Sequence, residues 1–533
     1  MKTFPKCVAL FFAAMILCSG CGRNQIPSME EASSRFAKGD YEGAIAVLNE
    51  LVRAQPSDLA ALLLRAKARQ ASEQWAAALE DYNEAVSLKP DSWEVWAARG
   101  RFFAELQDCS AAIEDLQKAV ELNPHSAALM VSLGLVYLSV KNMDMARACF
   151  EKARALDDRE EGAYFGNAAV FIEQKKYKEA AAEMDALLKI SPKNGQAVFR
   201  RGYAYLKDGN LSKALMDFNK ALELDPSMRE VYWYRAEAYW AACEPEKSLK
   251  DYKTLEQSNP NDPVLYLNEA SILTLLGRYN EALTNLRKSI VLDPENPRPY
   301  IDRAMLYMGS GNLLSALRDI NKALSMQPED PWLLVKRAQI FKLMARGDRA
   351  LDDLDRALEL DPNNAEGWLL RGSLFFSERD LDRAIEDLQK AMKLLPDNPA
   401  PYQLMAEALL RKRENAQALE MVGKALEKDS SYLPAYLTMA EIHLADSHVE
   451  RAIEAYSRAL SIDPNHFEAR MRRAKLFMGL NDIPKAISDL EAAAKANPYS
   501  GELYMIRGQC YEMIGDAEKA RQDSWRARVF ADR

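Results

Sequence analysis

A period of 34 residues constrains this chain more than any other feature. Proline stands at Pro56, Pro90, Pro124, Pro192, Pro226, Pro260, Pro294, Pro328, Pro362, Pro396, Pro464 and Pro498, and only Asp158 and Ser430 interrupt the series. The alanine of Ala214 recurs at the same step from Ala44 to Ala520, with Ser248 as the one exception. The clearest copy is Gly195–Met228, which reads as two short amphipathic helices. Val198, Gly202 and Tyr205 share a face of the first, interrupted by Arg201, and Ala214, Phe218 and Ala221 share a face of the second. Gly209-Asn210 is expected to break the pair, because both residue types tolerate the left-handed conformation that ends a helix. Neither helix can bury its apolar face alone, so the unit requires neighbours.

Numbering each copy from slot 1 (Gly195 in this one), copies start at 25, 59, 93, 127, 161, 195, 229, 263, 297, 331, 365, 399, 433, 467 and 501. Slot 8 is Gly or Ala in all fifteen, and large residues such as Trp96, Tyr232, Trp368 and Tyr504 recur at slot 4. The pattern resembles the tetratricopeptide repeat (TPR), an aromatic, then Gly, Ala, Ala and Pro in a 34-residue helix–turn–helix. Trp96, Gly100, Ala112, Ala119 and Pro124 match it, as do Trp368, Gly372, Ala384, Ala391 and Pro396. The resemblance implies an all-α, right-handed solenoid of about fifteen repeats over residues 25–533, in which slot 4 packs against slot 8. Polar residues replace packed ones at both ends (Ser28, Glu31, Arg35; Arg521, Ser524, Arg526), as expected of the capped ends of a complete array.

The N-terminus is of different composition. Lys2 and Lys6 precede an uncharged apolar run of eleven residues, Cys7–Leu17. A membrane-spanning helix needs about 20 such residues, so residues 1–20 read as a cleaved export signal. Leu17-Cys18-Ser19-Gly20-Cys21 resembles the bacterial lipoprotein box, with Cys18 where that family usually has Leu. The resemblance implies lipid attachment at Cys21, a short tether over 21–24, and, from Gly22, an outer-membrane lipoprotein facing the periplasm. Cys109, Cys149, Cys243 and Cys510 occupy unrelated slots and suggest neither disulfides nor a metal site. The balance of 70 basic against 79 acidic residues, net −9, argues against nucleic acid as partner.

Slot 7 is Arg in nine copies: Arg65, Arg99, Arg201, Arg235, Arg303, Arg337, Arg371, Arg473 and Arg507. A basic ladder for an anionic ligand is one reading. Slot 23, however, is Asp in the same nine copies, including Asp217 and Asp387. Independent placement gives that match roughly once in five thousand, and co-varying positions imply contact. Arg201–Asp217 and Arg371–Asp387 are therefore expected to be intra-repeat ion pairs. The four histidines, among them His443 and His448, have no metal-ligand spacing, and no nucleophile, phosphate-loop or zinc motif is present. With every residue from 25 on assigned to a repeat, no catalytic domain, cofactor or metal is expected.

What remains is a groove. In the TPR family, first helices line a concave surface and slots 2, 5, 9 and 12 touch ligands. Those slots are apolar and aromatic in the middle copies, with Phe199, Tyr203, Trp233, Trp240, Leu267, Ile301 and Met305, and Glu237 as a polar edge. Copies 12–15 place Glu407, Glu441 and Glu502 there instead. Aromatic residues with Met suit an adaptable peptide interface. The expected function is a non-enzymatic, lipid-anchored binding scaffold or assembly factor of the bacterial cell envelope, with protein or peptide partners. The alternative is an accessory subunit binding polysaccharide or peptidoglycan, for which Trp233, Trp240, Glu230 and Glu237 supply ring faces and carboxylates.

Overall fold

A computed structural model describes residues 28–530; Cys21, the signal at 1–20 and the tether at 21–24 lie outside the described residues. The described chain is all α, thirty helices in fifteen consecutive hairpins. Two compact units divide them: repeats 1–7 fall in Met1–Pro260 and repeats 8–15 in Asn261–Arg533. No described helix is long and apolar enough to cross a membrane.

Repeat 6 shows how sequence makes a hairpin. Asn194 caps the first helix, Gly195–Lys207, by accepting from the Ala197 amide at 2.9 Å. Gly209 then turns the chain at φ +79°, and Asn210 caps the second helix, Leu211–Leu224, by accepting from the Lys213 amide. Of the two residues expected to share the left-handed turn, only Gly209 does; Asn210 has φ −85° and is a cap. The left-handed residue recurs at slot 15 of every described repeat. In ten it is not glycine, as with Lys175 (φ 58°), Cys243 (φ 57°) and Ala345 (φ 55°). The hairpin imposes that conformation even where the residue resists it.

Slot 8 is small because the second helix lies on it. A Cβ added at Gly202 would stand 3.0 Å from Asp217 Cβ and from the Phe218 ring, and one at Gly100 would stand 2.9 Å from Leu116 Cγ. The small residue thus opposes slots 23 and 24, which corrects the expected contact with slot 4. The slot-4 residue instead fastens one repeat to the turn before it. Trp96 Nε1 donates to the Pro90 carbonyl and Trp368 Nε1 to that of Pro362, each at 2.8 Å. Tyr300, Tyr402 and Tyr504 donate their hydroxyls to Pro294, Pro396 and Pro498. The repeating proline therefore ends a helix and leaves a carbonyl for the next ring. Ser248, the exception among the slot-20 alanines, is fully buried and donates to the Ala236 carbonyl at 2.8 Å.

Each of the nine arginines at slot 7 grips its own slot-23 aspartate with two parallel bonds. In repeat 6, Arg201 Nε donates to Asp217 Oδ2 at 2.8 Å and Nη2 to Oδ1 at 2.7 Å; in repeat 11, Arg371 grips Asp387 at 2.7 and 2.9 Å. In six of the nine the guanidinium also lies against a ring at slot 4, slot 11 or both, as Arg371 does against Trp368 (4.8 Å) and Phe375 (5.7 Å). In seven of the nine the remaining nitrogen reaches back to slot 25 of the preceding repeat. Arg65 bonds Asn49, Arg99 bonds Asn83, Arg235 bonds Asn219, Arg337 bonds Asn321, and Arg473 bonds Ser457. Arg201 and Arg371 make that third contact to a second carboxylate, Asp185 at 2.6 Å and Asp355 at 2.5 Å. One side chain thus closes a hairpin and straps it to its neighbour. Bonds to Asp217 raise the Arg201 pKa well beyond its usual value; for Arg371 burial works to lower it, and the bonds to Asp387 and Asp355 together more than offset that.

Candidate functional site

The first helices of repeats 5, 6 and 7, Glu161–Glu173, Gly195–Lys207 and Arg229–Ala241, border a cleft of about 670 Å³. Ala169 and Ile172 stand on one side, Tyr203 along the middle, and Trp233 with Tyr234 on the other. Arg200, Arg229, Glu173 and Glu230 set charges around the apolar lining. A concave surface with aromatic walls and a few charges is the common form of a ligand site.

The rings hold one another in place. Tyr203 and Tyr234 meet edge to face with centroids 4.9 Å apart, and Trp233 stands edge to face on the buried Tyr252 at 5.5 Å. Trp233 Nε1 donates to Glu237 Oε1 at 3.1 Å, one helical turn on, which fixes the indole and engages one carboxylate oxygen. Lys207 Nζ lies 5.3 Å from the centre of the Tyr203 ring. Burial, with Tyr203, Glu237 and Glu230 nearby, pushes the Tyr234 phenol up, so it stays a neutral donor. The walls are set before any ligand arrives, which reduces the ordering cost of binding.

The expected groove residues divide. Tyr203 and Trp233 are half-buried and line the cleft. Phe199 also borders it, yet is only 4% exposed, with its ring 6.1 Å from Phe218 and 5.8 Å from Tyr234. It packs beneath the lining, with little of its ring left on the cleft surface. Trp240, 42% exposed, sits at the end of its helix and is not part of the lining. Leu267, Ile301 and Met305 belong to the second unit. Leu267 is half-buried there, Ile301 packs on the core that contains Ala304, and Met305 borders a separate cleft with Leu306 and Tyr307. Tyr234 was hidden because it stands at slot 6, outside the four ligand slots. The signal was present: it is the single aromatic at slot 6 among fifteen copies.

Among the described residues no group of three His, Cys, Asp or Glu side chains could hold a metal ion. His443 and His448, five residues apart, nonetheless bring their rings to 6.3 Å. Burial, then Arg451 and His448, lower the His443 pKa.

An array of helical hairpins with small residues at each crossing defines a class of binding repeat. The sequence matches family models of the tetratricopeptide repeat over residues 29–92, 64–130, 131–195, 196–228, 270–311 and 471–527. Residues 353–468 match the TPR domain of cytochrome c-type biogenesis protein H. The chain is a tetratricopeptide-repeat protein. Solved structures similar to it include the APC/C hetero-tetramer Cut9–Hcn1 (15% identity over 88% of this chain and 98% of that one, TM-score 0.43). Yeast Tom70 is 18% identical over 83% of this chain and 98% of that one, with a TM-score of 0.40. Naa15/Naa10 bound to HypK is 15% identical over 94% and 92%, with a TM-score of 0.38. No curated protein matches the chain. TPR arrays are scaffolds for protein partners, and families of this kind are typically non-enzymatic.

Proposed function

We propose that the chain is a lipid-anchored assembly factor of the bacterial cell envelope that holds an extended segment of a partner protein in the cleft of repeats 5–7. The observation that carries this is the pre-ordered aromatic wall of Tyr203, Trp233 and Tyr234 beside the charges of Arg200, Arg229, Glu173 and Glu230. An extended peptide offers apolar side chains to the rings, and backbone and charged groups to the edges. The match of residues 353–468 to the TPR domain of cytochrome c-type biogenesis protein H supports an assembly role, and favours cytochrome c maturation within it. The signal architecture ending at Cys21 supports export and anchoring. The polysaccharide reading would use the same rings, with Glu237 Oε1 already accepting from the Trp233 indole.

The test places a photo-crosslinking residue at Tyr203 and, as a control, at the exposed Leu314. One envelope protein crosslinked from Tyr203, absent from Leu314 and reduced by Trp233→Ala, is the expected result. Equal labelling from both positions would refute the cleft as the site. For the anchor, Cys21→Ser should leave a longer precursor that no longer partitions into detergent. A mature protein starting with a free amine beyond Cys21 would refute lipidation.

A further inference from the structure

Another cleft, of about 430 Å³, opens between repeats 4 and 5 and is lined by Arg147, Glu151, Arg154, Asn167 and Glu183 beside Phe171. Repeat 5 lacks the arginine fork: slot 7 is Asn167 and slot 23 is Glu183. Asn167 is 3% exposed, borders the cleft, and its Oδ1 has no hydrogen-bond partner. Across from it, the second helix of repeat 4, Met143–Leu156, carries Arg147 at slot 21 and Arg154 at slot 28. Slot 21 is aliphatic in thirteen of the fifteen copies and slot 28 is apolar in twelve. Two half-exposed arginines thus stand in slots that are apolar in most copies, beside a buried amide whose unsatisfied atom is the costly feature of the junction.

Their donors are underused. Arg147 Nε donates to Glu151 Oε1 at 2.7 Å, and Arg154 Nη1 to Glu183 Oε2 at 3.1 Å. Each arginine spends one nitrogen on a carboxylate, whereas the fork arginines spend at least two. The guanidinium groups lie over rings, Arg147 over Phe171 (5.5 Å) and Arg154 over Tyr164 (5.1 Å), which braces them.

We propose that this cleft binds a small oxyanion, a carboxylate or phosphate group, held by Arg147 and Arg154 with the Asn167 amide as a third donor. Two guanidinium forks supply the planar donor geometry that such groups require. Rotation of the Asn167 amide by half a turn places the Nδ2 donor where Oδ1 stands, so that the amide can donate to the anion from that position. Glu183 faces the same site, and burial pushes its pKa up against the pull of Arg154 and Arg147. Glu151 lies on the open side, more than half exposed. The site is independent of the aromatic cleft, and Trp233→Ala leaves it unchanged.

The test is calorimetric titration of the full-length chain with inorganic phosphate and, separately, with glucuronate. Saturable binding of at least one in the millimolar range is expected; tighter phosphate identifies a phosphorylated ligand, tighter glucuronate a carboxylated one. Arg147→Leu with Arg154→Val installs the side chains that repeat 2 carries in those slots, Leu79 and Val86, and should weaken binding about tenfold or more. Asn167→Leu, matching Leu133 of repeat 4, should weaken it less, with the fold intact by circular dichroism. Failure of both anions to saturate the wild-type chain, or unchanged affinity in the folded double variant, overturns the site.

Discussion

Repeats 11 and 5 are built on one 34-residue pattern and put opposite chemistry at the same place. In repeat 11, Arg371 fills the space between the two helices, bonded to Asp387 and Asp355 and braced by Trp368 and Phe375. In repeat 5 the equivalent slot holds Asn167, the carboxylate is Glu183, and the nearest guanidinium arrives from the preceding repeat. The hairpin survives both arrangements. The fork is therefore a fastening added to the fold, while the small residue at slot 8 and the buried alanines make the crossing itself. Repeats 4, 12 and 13 support this, with Leu133, Met405 and Met439 at slot 7 and Cys149, Met421 and Ala455 at slot 23. Charge and partner are replaced together.

The sharpest way to break the comparison is to remove one half of a fork. Asp387→Ala leaves Arg371 buried against a single outer carboxylate and should cost about 4 kcal/mol in urea unfolding. Glu183→Ala in repeat 5 should cost less than about 1 kcal/mol, since its partner Arg154 is nearly half exposed. Arg371→Ala with Asp387→Ala should cost less than the two losses added, because neither partner is left alone. Fully additive losses would mean that the pair contributes nothing as a pair.

Next in size is Trp368→Ala, expected to cost about 3 kcal/mol through the lost ring and the lost bond to Pro362. Trp233→Ala should cost about a third as much and weaken partner capture instead, since its ring is only half-buried. Equal destabilisation by the two would reassign Trp233 to packing. Asn321→Ala, which removes only the backward bond from Arg337, should cost about 1 kcal/mol while leaving the fork to Asp353.

The smallest effect concerns repeat 13, where His443 takes the slot-11 place held by aromatic rings in many of the other repeats. Its folded pKa lies below the ordinary histidine value of about 6.5, so the unfolded state takes up the proton first as pH falls. Stability is full above about pH 6.5 and declines below it, by less than about 1 kcal/mol at first. Protection factors in Leu433–Ala445, with the intrinsic pH dependence of amide exchange divided out, should fall between neutral and mildly acidic pH, and His443→Phe should abolish that fall. Protection that does not change with pH in the wild type would show that the ring is already solvated.

Most of the fold was legible because the period reports side-chain identity at fixed places. The Arg–Asp match across nine copies pointed to contact before any geometry was known. The backward strap was written in the same way and passed over. Slot 25 is Asn, Asp or Ser before seven of the nine arginines, and none of these before the internal repeats that lack one. The left-handed residue at slot 15 was obscured because Lys175, Arg379 and Arg413 do not advertise that conformation as glycine does. The cleft was legible only in part. Whether slot 5 faces solvent depends on what the next repeat lays beside it, and Tyr234 covers Phe199. That neighbour relation is not a property of one copy.

The backward strap also sets how the array yields to load. Arginine bridges join repeats 1 to 2, 2 to 3, 5 to 6 and 6 to 7 in the first unit, and 9 to 10, 10 to 11 and 13 to 14 in the second. The junctions entering repeats 4, 5, 12 and 13 have no slot-7 arginine and rest on packing and other side-chain contacts. Under tension the chain behaves as stiff blocks linked by softer springs, because a bidentate buried pair resists small displacements that sliding apolar surfaces accommodate. The aromatic cleft lies wholly within one stiff block, repeats 5–7. A load carried along the first unit would lengthen the junctions entering repeats 4 and 5 first and leave the walls of the cleft in register.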